Sequence, residues 1–391
     1  MVSERKKWLM FFFVALAPTI CLLARGVVWG ADSFAFMSVA CGKPFGGMIG
    51  HPFFAQFVPM FQCNFYLIVG VMFVFYFVGL LGLWVFGNRV LKSEGYLLPF
   101  VVGSLSPLFF FEAIRFENQL FGFSLALVGL GLFTLYLSVN NRLVREFNLF
   151  LCVIAYIIAC LCWLPSIILA IPCLLLLGFS DRIKQTIVLV VGLLGLFIYK
   201  ESILFSFTQL FTNQSLVAEE IPLIGIIFVL HIVHLYKYVP KNFYWWNILL
   251  IGIGIVKSKY MFLSIPFLAM GVIRKDKEQG LIVRGNRIPL IPVCLYLLIG
   301  FCLMGMNMFP TLGDVSEVDY IISRAEANEI PIYNDWGEGW LFEWRGYNTP
   351  YKVSIPQPDW NKLETPFYAY TKFPEDLPVC ERLTKYTYFC Q

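Results

Sequence analysis

A chain of 391 residues that is 59% hydrophobic and 14% charged, with a mean hydropathy of +0.74, departs far from the roughly 45–50% apolar and about 25% charged of an ordinary soluble protein. A soluble enzyme, a disordered chain and a nucleic-acid-binding module are excluded, because so large an apolar surplus must face lipid. The net charge of +4 divides unevenly: 22 basic and 12 acidic residues precede Asp314, giving +10, while 7 basic and 13 acidic residues run from Asp314 onward, giving −6.

That split predicts a basic transmembrane domain over 1–309 and an acidic, small α/β exoplasmic domain over 310–391. Eleven stretches of the body qualify as spanning helices, some of them only just. They run over about 8–24, 64–87, 96–111, 119–138, 148–163, 166–179, 186–203, 221–238, 243–256, 261–273 and 288–309. The pair meeting at Trp163-Leu164-Pro165 reads equally as one broken element, since proline disfavours helix at the residue before it. The opening MVSERKK and its apolar run read as a retained first span rather than a cleaved signal.

With the N-terminus inside, 16 basic residues fall on the inner side. Six fall outside: Arg25, Lys43, Arg115, Lys200, Lys257 and Lys259. This is the positive-inside bias, and an odd number of spans then puts the acidic tail outside. The expectation is a multi-pass protein of the cell or endoplasmic reticulum membrane, its N-terminus cytoplasmic. The chain has 11 cysteines and no CxxC pair. Most sit in spans, where Cys acts as a small apolar residue. Cys41 with Cys63 in the first outer loop, and Cys380 with Cys390 in the tail, are open to disulfide pairing.

The first outer segment, about 25–63, is too apolar for a free loop and too broken by Gly and Pro for a span. Stretches 32–41 and 52–61 predict short helices lying in the membrane interface. Asp32 sits just past the first span. A carboxylate there is costly to desolvate, so it either caps the helix that follows or has a chemical purpose, and the two roles are compatible. His51 and Pro52 open the second short helix.

A second polar cluster lies in SPLFFFEAIRFENQLFGF. Glu112 and Arg115 are three apart and share a helical face, with Glu117 close behind. An ion pair that lets two helices turn is the plainer reading of these residues. Further along, Lys257 and Lys259 suit either a lipid phosphate or snorkelling at the interface. Lys200 and Glu201 read as a local pair. His231 and His234, three apart, are open to a metal pair, with helix packing the plainer reading since no third ligand stands near. Asn213-Gln214-Ser215 is a glycosylation sequon. In the tail, 315–329 has helical spacing. Ile330, Ile332 and Tyr333 suggest a strand, Asn334-Asp335-Trp336-Gly337 a turn, and Gly339 to Arg345 a second segment.

One span followed by Asp32-Ser33-Phe34 in a long outer loop, then His51-Pro52-Phe53, then Pro107 through Arg115 to Glu117, resembles the GT-C superfamily of polyprenyl-phosphate-sugar-dependent glycosyltransferases. The first loop is similar to that of the protein-mannosyltransferase and aminoarabinose-transferase branches, where an acidic residue is followed by a (K/H)PP-like segment. This chain has one proline there rather than two. Pro107 to Glu117 is also similar, at a different spacing, to the P…R…(D/E) pattern of the GPI-mannosyltransferase branch. The resemblance covers mainly residues 1–180. The 334–337 turn is partly similar to an oligosaccharyltransferase acceptor motif.

The resemblance implies transfer of a sugar from a polyprenyl-phosphate donor to an acceptor hydroxyl at the outer face, with inversion. The acceptor is a lipid, a glycan or a protein. Asp32 is then the base and Glu117 the second catalytic carboxylate. Arg25, Arg115, Lys257 and Lys259 are candidates for the donor phosphate. His51, Glu112, Asp335 and Trp336 are candidates for acceptor or substrate contacts. The resemblance fixes no cofactor, and a divalent metal is left open. The competing classes are a transporter or flippase, which places ionisable groups near the midplane and often shows repeats, and a non-catalytic membrane subunit.

Overall fold

The computed structural model describes residues 3–26, 28, 31–42, 51–105, 107–204, six positions between 263 and 273, 312–334, 339–345, 349–354, 359–371 and 374–391. Its first helix, α1 (Glu4–Arg25), begins where the Ser3 side chain accepts from the Lys6 amide at 3.4 Å. It ends at Gly26, whose φ of 67° places it in the left-handed region that glycine adopts without cost. Asn64 caps α4 (Phe65–Val90) by accepting from the Leu67 amide at 3.1 Å. Asn141 caps α8 (Arg142–Cys162) through the Leu143 and Val144 amides. With α7 (Asn118–Ser138), these are the four helices among the described residues that are long and apolar enough to cross a membrane. At about 1.5 Å per residue each reaches about 30 Å or more, the hydrocarbon thickness.

α4, α7 and α8 pack through small residues, which let backbones approach in lipid. A Cβ placed on Gly131 would lie 2.9 Å from the Gly82 Cα, and one on Gly129 would lie 2.8 Å from the Tyr156 ring. Gly70, on the same helix as Gly82, has open space instead. Gly131→Leu is therefore expected to destabilise the bundle by roughly 1–3 kcal/mol, and Gly70→Leu to be near neutral. Thermal unfolding in detergent checks both.

The expected span at 96–111 is corrected. It is two short helices, α5 (Leu97–Leu105) and α6 (Pro107–Ala113), and the second begins at Pro107, which disfavours helix at the residue before it. The open question at Trp163 is settled in favour of two elements. A 3-10 turn at Leu164–Ser166 reverses the chain into α9 (Ile167–Ser180). The Tyr156 hydroxyl then donates to the Leu169 carbonyl at 3.1 Å, so α9 runs back along α8. α10 (Arg182–Phe197) reverses again, with Gln185 donating to the Leu174 carbonyl at 3.1 Å. At about 21 Å and about 24 Å these two helices are shorter than the membrane core. The expected spans at 221–238, 243–256 and 288–309 lie outside the described residues, as does 261–273 apart from the six positions.

The two expected short helices are present as α2 (Ala31–Ala40) and α3 (Pro52–Phe57), the latter extended by a 3-10 turn to Phe61. Only Phe54 of α3 is buried, whereas α2 is covered along most of its length. Ser33 and Ala35 to Ala40 of α2 are buried. A helix covered on all sides is sandwiched rather than amphipathic. What covers it is the C-terminal domain.

That domain consists of α11 (Leu312–Asn328) and a five-stranded sheet. The strands are β1 (Ile332–Asn334), β2 (Lys352–Ser354), β3 (Phe367–Tyr370), β4 (Cys380–Arg382) and β5 (Thr387–Cys390), in the order β2-β1-β3-β5-β4. β1 pairs parallel with β2 and β3, and β5 antiparallel with β3 and β4. The 339–345 segment is a helix, α12 (Gly339–Arg345), which makes the β1–α12–β2 crossover that parallel strands need. Cys380 and Cys390 are joined across the β4–β5 pair. α12 packs along α2, and Trp344 stacks on Phe65 at the start of α4 with ring centroids 6.5 Å apart. One continuous apolar cluster runs from the helices into this domain.

Candidate functional site at one end of the bundle

The C-terminal end of α1, the start of α4, the α6–α7 turn and the end of α8 meet at one end of the bundle. Asn118, at the first turn of α7, ties two of them by donating to the Cys162 carbonyl at 3.1 Å. α2, α3 and α12 lie over this end. The opposite end holds Glu146 with Lys184 at 2.6 Å and Arg145 at 3.4 Å, and Asp181 with Lys184 at 3.8 Å.

The α6–α7 turn carries the second sequence-predicted cluster. Arg115 Nη1 stands 3.6 Å from Glu112 Oε1, and Arg115 Nε stands 3.9 Å from Glu117 Oε1. The i,i+3 pair is as the spacing implied, and the turn at 114–117 brings Glu117 to the same guanidinium. Glu112 is 3% exposed and Glu117 2%. Taking charges out of water costs several kcal/mol each, so buried charges persist only with compensation. Glu117 is also the N-cap residue of α7, although its side chain makes no capping bond.

An aromatic bridge links this turn to α2. Phe54, fully buried on α3, meets Phe36 of α2 at 5.0 Å and Phe116 at 5.8 Å. Phe116 lies between Arg115 and Glu117 in the chain. The Phe54 ring also meets Phe121 at 5.0 Å. Asp32 therefore sits on a helix that is packed, through Phe36, Phe54 and Phe116, onto the turn holding the two glutamates.

Asp32 is the second residue of α2, inside its first turn rather than at the cap that the sequence suggested. A negative charge there suits the positive end of a helix. Arg25 is the last residue of α1. Of Asp32 and Arg25 only the backbone is described. His51 is the N-cap of α3 and half-buried; its carbonyl, not its ring, accepts the first bond, from the Ala55 amide at 2.8 Å. Lys257, Lys259, Asp335 and Trp336 lie outside the described residues, as do His231, His234 and the sequon. Asn334 ends β1 and is buried. Lys200 stands over the Phe197 ring at 5.8 Å, since adjacent helical residues such as Lys200 and Glu201 do not face one another.

The sequence reading missed the uncharged polar groups of this end. Gln119 Oε1 and the hydroxyls of Ser33, Ser38, Ser124 and Ser166 are buried without a hydrogen-bond partner among the described residues. The run Glu117-Asn118-Gln119 inside an apolar stretch was the available signal. Among the described residues no group of three His, Cys, Asp or Glu side chains is placed to hold a metal ion. The comparison with protein-family models and the search of curated proteins find no match to this chain.

Proposed function

We propose that this protein is a membrane glycosyltransferase. It moves a sugar from a polyprenyl-phosphate donor to an acceptor hydroxyl at the outer face of the membrane. The observation that carries the proposal is the pair of buried carboxylates, Glu112 and Glu117, around Arg115 at the end of the bundle that α2 covers. The midplane of the four long helices holds no comparable cluster among the described residues, which favours a rim site over a transporter's central one. The polar groups of Gln119 and Ser166, without a hydrogen-bond partner among the described residues, suit a ligand rich in hydroxyls. The resemblance of the first loop to GT-C enzymes supplies the reaction class.

The chemistry is a displacement at the anomeric carbon. The acceptor oxygen forms a bond to that carbon as the bond to the phosphate oxygen breaks, and polyprenyl phosphate leaves. The acceptor hydroxyl is a weak nucleophile, so a carboxylate that takes its proton accelerates the step. Asp32 has that role and Glu117 orients the acceptor. Arg25, Arg115, Lys257 and Lys259 are the cations for the phosphate, with arginine suited to bidentate contact. Two disulfides, Cys41–Cys63 and Cys380–Cys390, lie in the segments assigned to the outer side, and disulfides persist in oxidising compartments.

The test is to incubate the purified protein with a labelled polyprenyl-phosphate sugar and a membrane extract. The label is expected on a new acceptor. Label that stays on the donor across a panel of sugars overturns the proposal.

A further inference from the structure

We propose that the Cys41–Cys63 disulfide is a positioning element that holds α2, and with it Asp32, on the end of the bundle, so that transfer stops when a dithiol opens it. The link to transfer rests on the glycosyltransferase reading; the holding of α2 does not.

α2 has only ten residues, and an isolated helix that short is not stable in water. It keeps its shape and place through what it touches. Phe36 and Met37 pack inward, and α12 lies along it. Its C-terminal end is fixed differently. The Cys63 amide donates to the Ala40 carbonyl at 2.9 Å, and Cys41, the next residue, is bonded to Cys63. One covalent bond and one hydrogen bond therefore tie the end of α2 to the residue just before the α4 cap.

The backbone at that tie is strained. Gln62 has φ 49° and Cys63 has φ 61°. Two consecutive non-glycine residues in the left-handed region persist only where the surroundings force them. With the disulfide open, Gln62 and Cys63 are free to relax to ordinary backbone, and the bond to Ala40 is lost in doing so. The tie is also reachable. Cys41 and Cys63 are both partly exposed; in the other disulfide Cys380 is partly exposed and Cys390 is fully buried. Exchange by an external thiolate needs access to a sulfur, which the first disulfide offers; because Cys380 is also partly exposed, the double variant at Cys41 and Cys63 separates the effect of the first disulfide from that of the second. The step balances: one sulfur accepts attack by a dithiol thiolate, the S–S bond breaks, and the second dithiol sulfur displaces the protein. Two protein thiols and one cyclic disulfide result, with two electrons and two protons transferred.

The test uses the full-length protein in lipid vesicles, with and without dithiothreitol, and the double variant Cys41→Ser/Cys63→Ser. Amide hydrogen exchange and sugar transfer are read on the same samples. Starting from folded protein, reduction is expected to speed exchange over 33–40 by about tenfold or more, with α4 and α7 unchanged. The kcat falls by about tenfold or more with little change in KM for the donor, as expected when a catalytic group loses its place. The double variant behaves like reduced protein and ignores dithiothreitol. Unchanged exchange in α2 overturns the proposal, as does a freed α2 with full turnover. If α2 responds but the untreated protein transfers no sugar, the glycosyltransferase reading fails and the holding of α2 stands.

Discussion

Asp32→Asn is expected to abolish sugar transfer while the protein still folds and inserts. The substitution is nearly isosteric and changes one residue in the first turn of α2, a helix otherwise held by Phe36, Met37 and the Cys41–Cys63 tie. It removes the proposed base and keeps the size of the side chain. A positioned general base contributes about 10²–10⁴-fold, so residual turnover at or below about 1% of wild type is the expected result. Donor binding is expected to persist, because under the proposed function the base acts on the acceptor. Asp32→Glu keeps the carboxylate but moves it along a longer side chain, and partial activity is expected there. Near-normal turnover in Asp32→Asn removes Asp32 from the reaction. The readout is single-turnover transfer, with circular dichroism and elution profile to show that the chain is folded.

Arg115→Ala has the second large effect, and it falls on stability as well as on binding. The guanidinium is the common neighbour of two carboxylates that are 3% and 2% exposed. Breaking a buried pair by removing one partner costs about 3–5 kcal/mol, because the charge left behind stays desolvated. A clear fall in detergent unfolding temperature is expected. Adding Glu112→Gln to the same chain is expected to recover part of it, since neighbouring sites in one network do not add. Under the proposed function, donor affinity of the protein that remains folded also falls. Affinity unchanged by Arg115→Ala assigns the residue to the ion-pair network alone.

Run length and apolar content were enough to place four of the long helices. The 64–87 stretch is α4 and the 119–138 stretch is α7, each within a few residues at its ends. Composition does not show a break inside an apolar run. At Pro107 the run continues but the helix does not, so one expected span became α5 and α6. At Trp163 the same ambiguity resolved into a hairpin, and the contacts of Tyr156 with Leu169 and Cys173 show the direction of α9. WLFEWR in the tail is a short apolar run that periodicity cannot assign, and it is helical because β1 and β2 are parallel. The burial of α2 was illegible for a different reason. Its cover, α12, lies some three hundred residues away in the chain, and its Phe and Met content fits a lipid interface as well as a protein core.

The candidate site was partly legible. The three-residue spacing gave Glu112 and Arg115, because helix geometry makes that pair local. Glu117 joins them through a turn, which spacing alone does not specify. The bridge from Phe36 through Phe54 to Phe116 connects three separate segments and has no sequence signature. It is this bridge that turns two acidic clusters into one end of a fold.

Under the proposed function the sugar leaves its lipid carrier. A flippase would move the same donor without breaking a bond. Protein reconstituted in vesicles, with a polyprenyl-phosphate donor labelled in the sugar and with acceptor lipids present, separates the two. The label is expected to pass to a new molecule while unlabelled polyprenyl phosphate accumulates, and Asp32→Asn is expected to stop both. Label that stays on polyprenyl phosphate and only changes leaflet contradicts the proposed function.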